Sequence, residues 1–184
     1  GQMDQTDALG MLTPILEDPA IMKIGQNMKY DAKILARVGI KINPIDDTML
    51  ISYAQNGGLH NHGMNFLSER YLDHVPIPIK TLLGTGKSAI TFDSVSIDEA
   101  TRYAAEDADI TLRLWQSLKP KLHLKKVTTV YETLERPLVP ILVEMEMNGI
   151  KVDRDSLSRM SNGFAQKMAA LEFEIHELAG RSFN

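Results

Sequence analysis

The sequence predicts a mostly helical α/β fold in which a few short strands alternate with amphipathic helices. Two short stretches bounded by Pro, Gly or Asp, at 21–25 and 45–47, read as strands. Apolar residues recur at helical spacing before, between and after them, and two long helical periodicities follow residue 98.

In chain order, Leu9, Leu12, Ile15 and Leu16 form an apolar stripe on a helix over 6–17 that ends before Asp18-Pro19. Ile21 to Gly25 is the first strand, and Ile34, Leu35 and Val38 share one face of a helix over 30–38 that Gly39 stops. Asn43-Pro44 marks a turn, Ile45 to Asp47 a very short strand, and Asp47 the N-cap of a helix reaching Gln55. Gly57-Gly58 to Gly63 is a loop and Met64 to Leu72 a helix. Val75 to Thr91, with two prolines and two glycines, is a long irregular connection.

From Asp98, the residues Ala100, Tyr103, Ala104, Ile110, Leu114 and Leu118 give a helix ending near Pro120. A further amphipathic stretch from about Lys125 to Met147 is expected to bend or divide at Pro137 and Pro140. Ile150 to Val152 is a strand candidate. Asp153 or Asp155 caps a final helix carrying Leu157, Met160, Phe164, Met168, Leu171, Ile175 and Leu178.

Composition narrows the chemistry. The 184 residues carry 20 basic and 24 acidic side chains, are 43% hydrophobic and contain no cysteine, which excludes thiol catalysis, iron–sulfur clusters and disulfide scaffolds and fits a cytoplasmic setting. No apolar run approaches the roughly 20 residues of a membrane span, so no membrane partner is expected. Residues 1–118 hold 10 basic and 15 acidic groups (net −5) and residues 119–184 hold 10 and 9 (net +1), which points to different tasks for the two parts. A net acidic chain would meet phosphates through a local basic groove or metal ions, not through bulk charge.

Several motifs are candidates. Gly84-Thr-Gly-Lys-Ser88 lacks the glycine that a phosphate loop needs at position 81, which is Thr, so it reads as a flexible loop whose Lys87 can touch a phosphate backbone. His60 and His62 supply only half of a tetrahedral zinc site and no Cys completes it; hydrogen bonding or ligand contact from a loop suits them better. His74, His123 and His176 read as solvated or capping residues. In Tyr103-Ala-Ala-Glu-Asp107-Ala-Asp109, a phenol and a carboxylate stand four apart on one helical face. Gly25-Gln-Asn-Met-Lys-Tyr-Asp31 sets two amides and an acid at a strand-to-helix transition, where ligands often bind. There Asn27 also suits an N-cap and Asp31 a first-turn acid.

Together these residues resemble the family A DNA polymerases of the bacterial polymerase I type, over essentially the whole chain. Gly25 to Asp31 is similar to the second motif of that family's 3′-to-5′ proofreading exonuclease, and Tyr103 to Asp109 to the third. Asp47-Thr-Met-Leu50, Leu67-Ser-Glu-Arg-Tyr-Leu72 and Gly86-Lys-Ser with Thr91-Phe92 resemble connecting segments in the same order. Glu135-Arg-Pro-Leu-Val-Pro140, Asn148-Gly-Ile-Lys-Val-Asp153 and Ala179-Gly180 to Phe183-Asn184 resemble the entry into the polymerase domain.

The resemblance implies a ribonuclease H-like exonuclease domain, truncated to few strands, over 1–120, followed over 121–184 by long helices at the base of the polymerase thumb. It implies a site of four acids holding two divalent ions, Mg2+ or Mn2+, with a tyrosine that positions water. Within it Asp107 and Asp31 match metal ligands and Tyr103 the tyrosine. Gln26, Asn27 and Tyr30 match contacts to a single-stranded primer 3′ end, and His62 and Lys87 are added as DNA-binding candidates from their loop positions. The other implied partner is the remainder of the polymerase chain, in a bacterial, nucleoid-associated setting. No Asp-x-Glu of the first motif occurs before residue 25. Residues 1–184 are therefore expected to be an internal piece that has negligible nuclease activity alone and exposes apolar surface within residues 21–50. A noncatalytic DNA-binding scaffold and an RNase D-like exoribonuclease are the alternative readings.

Overall fold

The computed structural model describes residues 3–183 and divides into two compact units, 1–147 and 148–184. The first unit begins with α1 (Gln5–Glu17), capped by Asp4, whose carboxylate accepts the Thr6 N–H at 2.8 Å. Strand β1 (Lys23–Gly25) then pairs in parallel with β2 (Ile45–Asp47), Lys23 opposite Ile45 and Gly25 opposite Asp47. Parallel neighbours need a crossover, and α2 (Met28–Arg37) supplies it.

Both strands are three residues long, too short to bury much surface by themselves. The larger core is helical. Ile51 of α3 (Thr48–Asn56), Leu67 of α4 (Met64–Leu72) and Ile110, Leu114, Leu118 and Leu122 of α6 (Ile97–Leu124) bury one another with Tyr131. The period-3.6 stripe on α6 is thus the spine of the unit. A second cluster joins Met28, Ile45 and Val139, where α8 (Arg136–Asn148) covers the sheet. Ile21, Met22, Ile34 and Val38 stand 40–45% exposed.

Four sequence expectations change. The connection after Val75 contains a short helix, α5 (Ile79–Leu83), and two 3-10 turns. Pro120 does not end α6, because Leu118 and Leu122 on either side of it are buried in the core and keep the helix in register. The break comes after Leu124: a three-residue helical turn, α7 (Thr128–Val130), leads into a π-helical stretch, Tyr131–Glu135, directly before Pro137. A proline withholds the N–H that an α-turn would use, and a π-bulge absorbs that loss. Ile150 to Val152 form no strand; among the described residues the sheet consists of β1 and β2.

The second unit is α9 (Arg154–Ala179). Asp153 caps it by accepting the Ser156 N–H at 2.9 Å, and Gly180 ends it with φ 65°. His176 Nε2 lies 3.0 Å from the Phe183 carbonyl oxygen beyond the helix end. Among the described residues no helix is long and apolar enough to cross a membrane.

Candidate active site

The site is built where β1 ends and α2 begins. Gly25 leaves no room for a β-carbon, which would lie 1.9 Å from Met28 Sδ, and Met28 is buried. Thr48 Oγ1 donates to the Gly25 carbonyl at 3.1 Å and also to Gln26 Oε1. Gln26 Nε2 donates to the His62 carbonyl at 2.9 Å, so the amide is fixed from both ends.

The cap expected of Asn27 is made by another residue. Asn27 adopts a left-handed conformation, φ 60° and ψ 47°, and its side chain makes no capping bond. Asp47 caps instead: its carboxylate accepts the N–H groups of Asn27 at 3.1 Å and Met28 at 2.8 Å, together with those of Met49 at 2.9 Å and Leu50 at 3.4 Å. One acid on β2 therefore serves the N-termini of both α2 and α3. Burial nevertheless pushes its carboxyl above the ordinary range, against the pull of these four donors.

Asp31, in the first turn of α2, and Asp107, on α6, line one cleft of about 470 Å3 with Ile24, Gln26, Met64 and Thr111. Neither carboxylate takes part in an ion pair among the described residues. Burial raises both pKa values; at Asp107 the Tyr103 hydroxyl opposes that rise and the Glu106 charge adds to it. The Tyr103 phenol is raised by burial and then by the Asp107 charge, which keeps it protonated and able to donate. Its ring meets Phe92 edge-on, the centroids 6.1 Å apart.

The other expected contacts are dispersed. Tyr30 projects from α2 at 60% exposure and Lys87 stands exposed on the 3-10 turn Gly86–Ser88; neither lines the cleft. His62 lies 2.9 Å through Nδ1 from Ser52 Oγ and 5.6 Å, ring to ring, from Tyr53. Burial lowers its pKa, and the neighbouring His60 lowers it further. His74, read as a solvated or capping residue, instead meets Glu106 Oε1 through Nε2 at 2.9 Å, and Glu106 Oε2 accepts the Ile77 N–H at 2.7 Å. No group of three or more His, Cys, Asp or Glu side chains suited to a metal occurs among the described residues.

Sequence reasoning missed Asp46. Its carboxylate, 1% exposed, accepts from Trp115 Nε1 at 2.7 Å, the Tyr131 hydroxyl at 2.9 Å and Lys119 Nζ at 3.0 Å. Burial would raise its pKa, but these donors outweigh it and the net shift is downward. The Tyr131 oxygen also accepts the Asp47 N–H at 3.1 Å, which links this network to the α2 cap. The available signal was a pair of acids directly after Ile45 in a predicted strand.

A family model described as 3′-5′ exonuclease matches residues 2–123. The chain is 55% identical to a DNA polymerase I of Rhizobium leguminosarum over 183 residues, all of this chain and 18% of that one. It is 41% identical to that of Pseudomonas aeruginosa over 187 residues, all of this chain and 20% of the relative. It thus spans about a fifth of the curated relatives' length. Among solved structures, the POL domain of Pol1 from M. smegmatis, in complex with DNA primer-template and dNTP, has a TM-score of 0.75 at 21% identity, over 100% of this chain and 29% of that one. Brucella melitensis NrnC bound to pGG has a TM-score of 0.63 at 23% identity, over 78% of this chain and 67% of that one. These two likenesses concern the fold. The chain belongs to the 3′-5′ exonuclease domain family of the family A DNA polymerases.

Proposed function

We propose that this chain is an internal stretch of a bacterial DNA polymerase I and contributes to a two-metal 3′-to-5′ proofreading exonuclease. Residues 1–120 form the later part of that domain and 121–184 the start of the polymerase domain. The observation that carries the reading is that Asp31 and Asp107, 76 positions apart, line one cleft and have no cationic partner among the described residues. Uncompensated carboxylates raised by burial gain most from a divalent cation. The donor set is all oxygen, which suits Mg2+ or Mn2+ over zinc. NrnC has been solved with bound Mg2+.

When bound, a pair of such ions stabilises charge on the attacking and leaving oxygens of a phosphodiester. The chain's own residues divide the remaining work. Tyr103 stays protonated and donates its hydrogen bond to water beside Asp107. Gln26, anchored by Thr48 and His62, orients the terminal nucleotide in the cleft it lines, and Asn27 and Tyr30 contact the strand outside that cleft. Two carboxylates cannot by themselves hold two ions, so the full activity draws on ligands outside these residues, and the 184-residue chain has negligible nuclease activity.

The test is release of nucleotides from 3′-labelled single-stranded DNA by the longer polymerase containing this chain. Metal-dependent release that Asp107→Ala abolishes is expected, and undiminished release by that variant would overturn the reading. An RNase D-like exoribonuclease is a second reading, favoured by the fold likeness to NrnC. Faster degradation of RNA than of DNA in the same assay would select it, and nucleic-acid binding without any cleavage would select a noncatalytic scaffold.

A further inference from the structure

A continuous row of rings and cations leads away from the cleft along α4. It begins at His62, whose carbonyl holds Gln26. The His60 ring lies 4.8 Å from the His62 ring and 5.1 Å from Phe66, which is 36% exposed. The Arg70 guanidinium sits 6.0 Å from the Phe66 ring centre and 5.8 Å from that of Tyr71, and Lys121 Nζ approaches the Tyr71 ring to 4.5 Å from α6. Two cations thus flank one aromatic ring, and neither forms an ion pair among the described residues. In a chain of net charge −4 with 24 carboxylates available, two adjacent cations left without one are a local excess of positive charge that an external anion would relieve.

We propose that the face running from His62 through Phe66 and Arg70 to Lys121 is a track for single-stranded nucleic acid behind the nucleotide held in the cleft. One exposed ring, Phe66, with the half-buried His60, His62 and Tyr71 rings beside it and two cations at its far end, is a surface that a single strand can match: a base stacks on Phe66 and the backbone phosphates meet the cations, without selecting sequence. An acidic polypeptide would satisfy Arg70 and Lys121 but has no use for the exposed ring of Phe66 or the two imidazoles. The direction of the strand rests on the exonuclease reading; the track itself rests on the row of contacts.

The experiment measures binding of a fluorescein-labelled oligo(dT), roughly 8 nucleotides long, to the 184-residue chain in EDTA, so that no metal in the cleft contributes. Phe66→Ala is expected to weaken binding about 10-fold. Arg70→Gln with Lys121→Gln is expected to weaken it at least fivefold and to reduce the slope of log affinity against log salt by about 1.4, the share of two phosphate contacts on a single strand. Lys167→Gln on α9 serves as the control and leaves both unchanged, and the thermal midpoint of each variant verifies folding. Absence of oligo(dT) binding, wild-type binding and slope in the folded Phe66 and Arg70/Lys121 variants, or equal competition by polyglutamate would each overturn the track. The two proposals fail separately: cleavage by the longer polymerase that survives Asp107→Ala overturns the exonuclease reading and leaves the track standing, whereas wild-type binding in the folded Phe66 and Arg70/Lys121 variants overturns the track alone.

Discussion

The Asp47 carboxylate accepts the Met28 N–H at 2.8 Å across the sheet, so the helix that presents Asp31 starts where a strand residue dictates. The same side chain starts α3, whose Thr48 fixes Gln26. The α2 end of the cleft is therefore positioned from β2.

Asp47→Ala is expected to destabilise the chain by roughly 3 kcal/mol, since it strands buried N–H groups at two helix ends. Urea denaturation followed by the emission of Trp115, the single tryptophan, measures it. A loss under about 0.5 kcal/mol would mean water caps both helices in its place. The folded pKa of Asp47 is raised, so its contribution is largest below the unfolded value of 3.8 and declines as pH rises through the folded value.

Asp46 behaves with the opposite sign. Its folded pKa lies below 3.8, so the stabilisation from Trp115, Lys119 and Tyr131 is complete above that value and is lost as pH falls through the folded one. Asp46→Ala leaves Lys119 and Tyr131 without their shared acceptor, at a cost of about 3 kcal/mol or more. Trp115→Phe removes one donor to a charged acceptor, costs about 2 kcal/mol and shallows the acid limb of the stability profile. An unchanged acid limb would assign the loss to packing.

Mn2+ binding to the chain is expected to be weak and to require Asp31 and Asp107 in their charged forms. Because burial raises both carboxyls, affinity should begin to fall at a higher pH than for an exposed acid, whose ordinary value is 3.8. Paramagnetic broadening at the two residues from pH 7 down to 4, compared in Asp31→Asn and Asp107→Asn, reads this out. Broadening that survives both substitutions would place the ion elsewhere.

Glu106 ties the segment after α4 to α6 through His74 and the Ile77 N–H. Glu106→Ala should cost about 1–2 kcal/mol and speed amide exchange at Ile77, with no effect on Gly25 to Met28. Exchange that quickens equally in both places would point to global loosening.

Much of this architecture was legible one residue at a time. Helix α4, strand β2 and the Asp47 cap of α3 follow from apolar period and a capping acid, both local properties of the chain. Pro120 misled because its local cost is opposed by Leu118 and Leu122 in the core, a contribution that sequence neighbours cannot express. The candidate site divides in the same way. The spacing of Tyr103 and Asp107 sets them on one helical face wherever α6 lies, whereas Asp107 shares a cleft with Asp31 only because α6 packs against β1.

By itself the sequence determined where the principal helices α1 to α4, α6 and α9 lie, which acids and amides stand near their ends, and, through the order of its motifs, the family to which the chain belongs. Only the tertiary structure decided that Asp47 caps α2 in place of Asn27, that Asp46 is buried among Trp115, Lys119 and Tyr131, and that the rings and cations of α4 continue onto Lys121. The reason is range. Helical period and capping act over about four residues, while Met28 for Asp47, Trp115, Lys119 and Tyr131 for Asp46, and Tyr71 for Lys121 are partners 19 to 85 residues away, where burial decides whether a charge must be met.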